Sequence, residues 1–348
     1  MLFAITDGLL FLGCIAVVLG CIVVVAIYIM GVGFFRYRSL ARSAKIKALK
    51  GDFLNAIADY DKLISLAPRS PFFYRLRGGA KRALQEYDAA IADFDKAVDL
   101  KPDFSLAYRE RATTKWKKAN LLEAIVDYDQ AIRLNPTDEL AIYQRGRARY
   151  DHKEFDAAIA DFTRSIQLKP DFAVAYIGRG HAQLTKGKIN EALSDANKAI
   201  ELKSDSAEAY ILRDEVASGR GDFDSAIADC DVAIRLNPNM AIAYSDRGFA
   251  KLKKGDPTGA MDDYDKAIQL KPTFARPYLN RGTLKHNSRD YDGAIADYDR
   301  AIEIDPKSAS AYEARGTSKH AKGDIDSAVS DYDKAIELSS AVDHETIL

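Results

Sequence analysis

The sequence predicts an all-α protein, an α-solenoid of about nine helix–turn–helix repeats that follow one N-terminal transmembrane helix. Two observations carry this prediction. Prolines recur at spacings of 34 residues, or twice 34, through most of the chain, and a period of that length is typical of helical repeat arrays. The segment from Gly8 to Phe35 contains no charged residue and is rich in Leu, Ile and Val, as a membrane-spanning helix would be.

The apolar segment 8–35 is long enough to cross a membrane. As a helix it would extend roughly 42 Å at about 1.5 Å per residue, against a hydrocarbon core of about 30 Å. A cleaved signal peptide is one alternative, but only Asp7 and the amino terminus precede the segment where basic residues are expected. A lipoprotein box ending at Cys21 is another, although the apolar residues continue well beyond that cysteine. The pattern favours an uncleaved anchor.

The charges on either side of this segment predict its orientation. Six basic residues and no acidic residue lie between Arg36 and Lys50, whereas only Asp7 lies on the other side. Because positively charged flanks remain in the cytoplasm, we expect a single-pass membrane protein with its N-terminus outside and the repeat array in the cytoplasm.

Aligning the recurrent prolines at position 32 defines nine repeats of 34 residues. Position 20 is alanine in every repeat, position 8 is Gly or Ala in eight, and position 24 is mostly aromatic. Apolar residues at positions 20, 21, 24, 27 and 28 share one helix face, and the proline ends that helix. The repeats begin at Tyr37, Pro71, Ser105, Glu139, Ala173, Ala207, Ala241, Ala275 and Ala309; the array covers 37–342 and a C-terminal tail covers 343–348.

This pattern resembles the tetratricopeptide repeat family. A small residue at position 8, Ala at 20, an aromatic residue at 24, Ala at 27 and Pro at 32 match the family's pattern from residue 37 to about residue 342. The resemblance implies antiparallel helix pairs stacked into a right-handed superhelix. It also implies a concave groove lined by one face of the first helix of each repeat.

Two positions depart regularly from the family's pattern. Position 7 is arginine in eight repeats and position 23 is aspartate in all nine. Because the base and the acid recur together, we predict that each position-23 carboxylate contacts a position-7 arginine, within or between repeats. Such a partly buried ladder would set the stacking register more than it adds stability. The functional alternative is an anion-binding stripe, which would require arginines that are free in the groove.

Positions that vary between repeats indicate the candidate binding surface. Positions 2, 5, 9 and 12 share one helix face, which the family resemblance places, with position 13, in the groove. In repeats two to four this face is basic and aromatic, which favours an extended peptide with acidic and aromatic residues. Repeat six presents Glu208 and Glu215 instead, so the groove is graded in charge. The alternative is an ordinary solvated helix face. The candidate groove residues are Arg75, Arg82, Arg109, Trp116, Lys117, Tyr143, Arg147 and Tyr150.

Repeat six also breaks the packing pattern. Asp214 replaces the small residue at position 8, Ser204 replaces the preceding proline, and Ala196 replaces the aromatic residue of repeat five. A carboxylate at a close-packed site costs free energy unless it is paired, so we expect a local irregularity or hinge over 196–221. Cys230 stands where most repeats have an aromatic residue, and we expect it in the core.

Composition and motifs argue against several classes of function. The chain has 50 Lys and Arg against 51 Asp and Glu, so its overall charge does not favour nucleic acid. Three cysteines and five scattered histidines form no disulfide framework and no metal-ligand spacing. The sequence has no nucleotide-binding loop and no nucleophile motif. We therefore expect no catalytic site, no metal and no cofactor.

These observations favour a membrane-tethered adaptor that binds a protein or peptide segment in its groove. One alternative is a structural component that self-associates as a homo-oligomer, through an uncapped C-terminal edge or through the small residues Ala16 and Gly20 of the membrane helix. Another is a regulatory subunit of an enzyme encoded elsewhere. The mass of the array as a function of concentration would separate self-association from the other two hypotheses.

Overall fold

The computed structural model of the chain describes residues 38–345, with side chains described as far as residue 340. The expected membrane helix over 8–35 therefore lies outside the described residues, as do residue 37 and 346–348. Of the helices within 38–345, none combines the length and the apolar character that crossing a bilayer requires.

The described residues form eighteen α-helices joined by short turns. Odd-numbered helices are the first helix of a repeat (helix A) and even-numbered helices are the second (helix B). They are α1 (38–49), α2 (Phe53–Leu66), α3 (Pro71–Ala83), α4 (Tyr87–Leu100), α5 (Ser105–Lys117), α6 (Leu121–Leu134), α7 (Glu139–Asp151), α8 (Phe155–Leu168), α9 (Ala173–Thr185), α10 (Ile189–Leu202), α11 (Ala207–Gly219), α12 (Phe223–Leu236), α13 (Ala241–Lys253), α14 (Pro257–Leu270), α15 (Ala275–Asn287), α16 (Tyr291–Ile304), α17 (Ala309–Lys322) and α18 (Ile325–Glu345).

The described chain divides into two compact parts, which we call the N-terminal part (as far as residue 154) and the C-terminal part (from residue 155). The division falls inside repeat four, between α7 and α8. Within each part, every described helix packs against the helix that follows it in the chain. Because turns of only a few residues join these helices, consecutive helices reverse direction and pack antiparallel.

Small residues and aromatic rings interlock in the core of the repeats. The position-20 alanines are completely or almost completely buried, and the position-24 rings pack directly against helix A. A Cβ added at Gly282, at position 8 of repeat eight, would lie 2.7 Å from a ring carbon of Tyr298. The ring therefore occupies the space that a larger residue at position 8 would need, which explains why this position is small.

The turn between helix A and helix B has a left-handed residue at position 15 of every repeat. Five repeats place glycine there, with φ between 72° and 93°. Four place a larger residue with φ between 64° and 66°, namely Gln85, Ala119, Lys153 and Arg289. A side chain in this conformation costs roughly 1–2 kcal/mol because its Cβ crowds the following carbonyl, so these four turns are locally strained.

The expectation of a local irregularity or hinge over 196–221 is wrong. Helix α10 ends at Leu202 and α11 spans Ala207–Gly219, the same lengths as in the neighbouring repeats. Burying a carboxylate at Asp214 therefore does not distort the backbone.

Compensating changes in side-chain volume explain the regular backbone. Cys230, fully buried, stands where most other repeats place a ring, so a small residue faces the larger Asp214. Its burial confirms the expectation that it belongs to the core. In repeat five the missing ring at Ala196 is matched by Leu212, whose Cδ2 would lie 2.4 Å from a Cβ added at Gly180.

Candidate functional site

The position-7 arginines are paired, as the sequence predicts. In repeat two, Arg77 donates from Nε and Nη2 to Asp93 at 2.9 and 2.5 Å, and from Nη1 to Asp61 of repeat one at 2.6 Å. Lys81 also reaches Asp93, at 2.8 Å. The two-carboxylate arrangement recurs at Arg111, Arg247, Arg281 and Arg315. The ladder joins helix A to its own helix B and to the preceding repeat.

Substitutions in the ladder keep its hydrogen bonds. Arg179 binds Asp195 and donates to Thr163 at 3.2 Å, and Arg213 donates to Asn197 at 3.2 Å, so an uncharged acceptor replaces the second aspartate. In repeat one, Ser43 stands in place of the arginine, and Lys47 binds Asp59 at 2.6 Å.

The ladder arginines bind carboxylates and aromatic rings of this chain rather than facing a ligand. The hydrogen bond from Arg247 to the buried Asp263 raises the pKa of the guanidinium, more than burial lowers it. Its guanidinium carbon also lies 5.5 Å from the ring centroid of Tyr244 on the same helix, a cation–π contact. An anion-binding stripe is therefore not what this geometry provides.

Acids also meet two of the candidate groove arginines in the N-terminal part. Arg75 Nη1 lies 2.8 Å from Glu110 Oε1, and Arg109 Nη1 lies 2.7 Å from Asp138 Oδ2. Arg82 donates to the backbone carbonyl of Glu110 at 3.2 Å. Arg75 and Arg82 thus join repeat two to repeat three, and Arg109 binds the residue that caps α7. The positive charge of Arg75 and Arg109 is locally compensated.

Trp116 and Arg147 form a stacked pair, which we call the Trp–Arg platform. The guanidinium carbon of Arg147 lies 4.7 Å from the centroid of the Trp116 ring. The indole Nε1 donates to Asp151 Oδ2 at 2.7 Å, which fixes the ring orientation. Arg147 and the neighbouring Lys117 are exposed, whereas Trp116 is half-buried.

The two candidate tyrosines complete this surface. Tyr143 and Tyr150, both half-buried, lie on α7 with Arg147. Burial raises the pKa of Tyr143, and Arg147 partly opposes that shift. All eight candidates thus lie on helix A of repeats two to four. The sequence reasoning missed their acidic partners; Glu110 directly follows a groove position and Asp138 caps the next helix A, which is the signal that locates them.

A second polar cluster lies in the C-terminal part, and we call it the acidic pocket. Its cavity of about 260 Å³ is lined by helix A of repeats six, seven and eight and opens to solvent. The sequence reasoning singled out Asp214 and Glu215 but not Asp246 or Arg276, because only packing between repeats brings them together. The lining residues are Asp214, Glu215, Ser218, Asp246, Phe249, Arg276 and Asn280. Within the described part of the chain, no three His, Cys, Asp or Glu side chains are placed to hold a metal ion.

Comparison with known families agrees with this architecture. A tetratricopeptide repeat model matches residues 48–104, 109–173, 143–209 and 215–273. Further models match 290–323, described as a TPR repeat, and 309–341, described as a tetratricopeptide repeat. The chain belongs to the tetratricopeptide repeat family. A search of curated proteins gave no match.

Solved structures show the same fold for this tetratricopeptide repeat protein. A chain of the APC/C hetero-tetramer Cut9–Hcn1 is 17% identical, with a TM-score of 0.63; the alignment covers 80% of this chain and 55% of that one. A tetratricopeptide repeat protein from Parabacteroides merdae is 18% identical, with a TM-score of 0.62, over 74% of this chain and 98% of that one. This chain thus spans about half the length of the first structure. At such identities the likeness concerns the fold.

Proposed function

We propose that this chain is a membrane-tethered scaffold that binds a protein or peptide segment through helix A of repeats two to four. Proteins of the tetratricopeptide repeat fold generally mediate protein–protein interactions. The observation that carries the proposal for this chain is the Trp–Arg platform, in which an exposed guanidinium lies on the chain's single tryptophan.

The platform has the physical character of a binding anchor. Hydrogen bonding of Trp116 to Asp151 holds the ring before a partner arrives, so little side-chain entropy is lost on binding. Arg147 and Lys117 supply exposed positive charge beside it. Tryptophan and arginine are the residues most often found at energetically dominant contacts, and this pair suits a segment that carries acidic and aromatic residues.

Membrane attachment through 8–35 is part of the proposal. It is supported by the uncharged apolar segment and by the basic residues that follow it. The test is protease protection in intact membrane vesicles with a tag on each terminus. The proposal requires cleavage of the array only from the cytoplasmic side; an array that is protected there would refute the orientation.

Affinity purification of the full chain from membranes tests the binding surface. Lys117→Glu with Arg147→Glu reverses both exposed charges of the surface without breaking the paired arginines. The matched control is Lys62→Glu with Lys96→Glu, which makes the same charge change at exposed positions of the N-terminal part on helix B of repeats one and two. The proposal expects a specific partner to be lost from the first variant and kept by the second. A partner that both variants retain would show that this surface does not bind it.

Self-association is a second candidate, and one observation favours it. Ile325, Val329 and Ile336 are exposed on α18, whereas Val98 and Ile132, at the repeat position of Ile336, are buried against the following repeat. A second copy that covered this face would bury apolar area in the same way. Concentration-dependent mass of the full chain in detergent, abolished by Val329→Glu with Ile336→Glu, would support it; a constant mass would exclude it.

A further inference from the structure

The acidic pocket contains buried carboxylates whose hydrogen bonding is incomplete. Asp214 is 1% exposed and Asp246 is 8% exposed. Within the described residues, Oδ2 of each has no hydrogen-bond partner. The other oxygens are engaged, since Ser218 donates to Asp214 Oδ1 at 3.3 Å and Arg276 Nη2 lies 2.8 Å from Asp246 Oδ1. A buried oxygen without a donor is costly, so both carboxyls favour an additional donor group.

The charged groups around the cavity indicate that the additional hydrogen-bond donor is positively charged. Three carboxyls line it, from Asp214, Glu215 and Asp246, against one guanidinium, that of Arg276. Glu215 is also contacted by His181, whose Nδ1 lies 3.1 Å from Oε2. A cation with hydrogen-bond donors therefore complements the pocket, whereas an anion would be repelled.

The size and lining of the cavity select the kind of cation. At about 260 Å³ it lies below the roughly 300–1,000 Å³ of sites that enclose whole small molecules, and it matches a single side chain. Phe249 contributes an aromatic wall. Lys253 Nζ already lies 5.4 Å from the centroid of this ring, and a ring face attracts an ammonium or guanidinium group. The carboxyls are not placed together as metal ligands within the described residues.

We propose that the acidic pocket binds one cationic side chain, a lysine or arginine of a partner segment, between Asp214, Asp246 and the ring of Phe249. The inference rests on the proposed function, that helix A faces of this array bind a protein segment, and adds a second contact point in the C-terminal part. Arg276, which is 45% exposed on its side chain, occupies one oxygen of Asp246 and moves aside or shares that carboxylate when the partner's cation enters.

Proton release gives the proposed binding a distinctive signature. Burial, together with the nearby charge of Asp246, raises the pKa of Asp214 to about 8. Burial also raises the pKa of Asp246 to about 6, which Arg276 opposes. A bound cation favours the ionised carboxylates and expels the proton, so affinity rises with pH between 6 and 8. The other titratable groups beside these carboxyls are Glu215 of α11, Cys230 of α12 and Arg276 of α15. His181 of α9 contacts Glu215, and Arg247 of α13 lies near the thiol.

The experiment uses three small probes and the full chain in detergent micelles. The probes are Nα-acetyl-arginine amide, Nα-acetyl-lysine amide and the uncharged Nα-acetyl-norleucine amide, and binding is measured by saturation-transfer difference NMR at pH 6.5 and 8.5. The variants are Asp214→Asn and Asp246→Asn, which keep side-chain volume. The control is Asp262→Asn, an exposed acid of the same part outside the pocket.

We expect a cationic amide to bind more tightly at pH 8.5 than at pH 6.5 and to lose roughly tenfold or more in affinity in each pocket variant. Asp262→Asn leaves the affinity unchanged. Equal binding of the norleucine amide, or unchanged binding in both pocket variants, would overturn the proposal. Titration with Ca²⁺ or Zn²⁺ that saturates the pocket while neither amide binds would assign it to a metal and also overturn it.

Failure of the pocket proposal is distinguishable from failure of the proposed function. Recovery of a partner in the affinity purification depends on Lys117 and Arg147 of the N-terminal part, so a lack of amide binding to the pocket does not change the purification result. If Asp214→Asn does not fold, Asp246→Asn provides the same test, because its side chain lies on a different helix.

Discussion

Removing Asp263 tests whether burial determines the strength of the ladder. Asp263 is 3% exposed and accepts hydrogen bonds from Arg247 at 2.9 and 2.6 Å. Lys251 lies 2.8 Å from the same carboxylate. Asp263→Asn keeps the volume but leaves two cations facing an uncharged group. Asp231→Asn is the matched control, because Asp231 contacts the same arginine at 2.6 Å with its side chain 43% exposed.

The expected magnitudes follow from exposure. Breaking a fully buried ion pair from one side costs roughly 3–5 kcal/mol. Arg247 and Lys251 retain 19% and 24% side-chain exposure, and Arg247 keeps Asp231, so water and the second acid compensate in part. We therefore expect Asp263→Asn to lower the free energy of unfolding by about 2 kcal/mol. Asp231→Asn removes a solvent-screened pair and should cost at most about 0.5 kcal/mol.

The assay is urea unfolding of the full chain, followed by circular dichroism, with amide hydrogen exchange of 241–270 as a local measurement. Local exchange is needed because repeat arrays unfold in neighbouring groups of repeats, so one global transition spreads the effect. Faster exchange in α13 and α14 of Asp263→Asn alone is expected. Equal losses in the two variants would refute the argument that burial sets the strength of these pairs.

Three further predictions concern stability. Asp214 has a folded-state pKa of about 8, above its unfolded value, so its stabilising contribution is lost as the pH rises toward 8. Asp214→Asn should therefore make the unfolding free energy decline less steeply with pH, by at most about 1.4 kcal/mol per pH unit. An unchanged slope, measured by urea unfolding at several pH values, would contradict this. Gly282→Ala places Cβ 2.7 Å from the Tyr298 ring and should destabilise the protein by about 1 kcal/mol. This is the low end of the cost of overpacking, and we choose it because repeat three accommodates an alanine, Ala112, at the same position. A higher Tm would contradict the expected crowding. Arg289→Gly relieves a residue at φ 66° and should raise stability by about 0.5–1 kcal/mol; a lower Tm would contradict the proposed strain.

Much of the fold could be predicted because one unit is copied nine times. The period of 34 residues, the small residues at positions 8 and 20 and the acid at position 23 each occur at nearly every step. A contact that recurs with the period is visible in the sequence without coordinates, as the confirmed pairing of Arg77 with Asp93 shows. The family could be identified for the same reason, whereas the candidate surface residues were proposed from positions that vary between repeats.

The tertiary structure determined the contacts of residues that do not recur from repeat to repeat. Arg75 pairs with Glu110, and Arg109 pairs with Asp138. Both pairings depend on which groups of the following helix A and its cap the fold brings within hydrogen-bond distance.

The regular backbone of repeat six required the small Cys230 opposite Asp214, a compensation of volume between two helices. Likewise, Asp246 meets Asp214 across two repeats only in the folded chain. A periodic sequence determines the contacts that every repeat makes, whereas a non-repeating side chain is positioned by close packing against whichever neighbours the fold supplies.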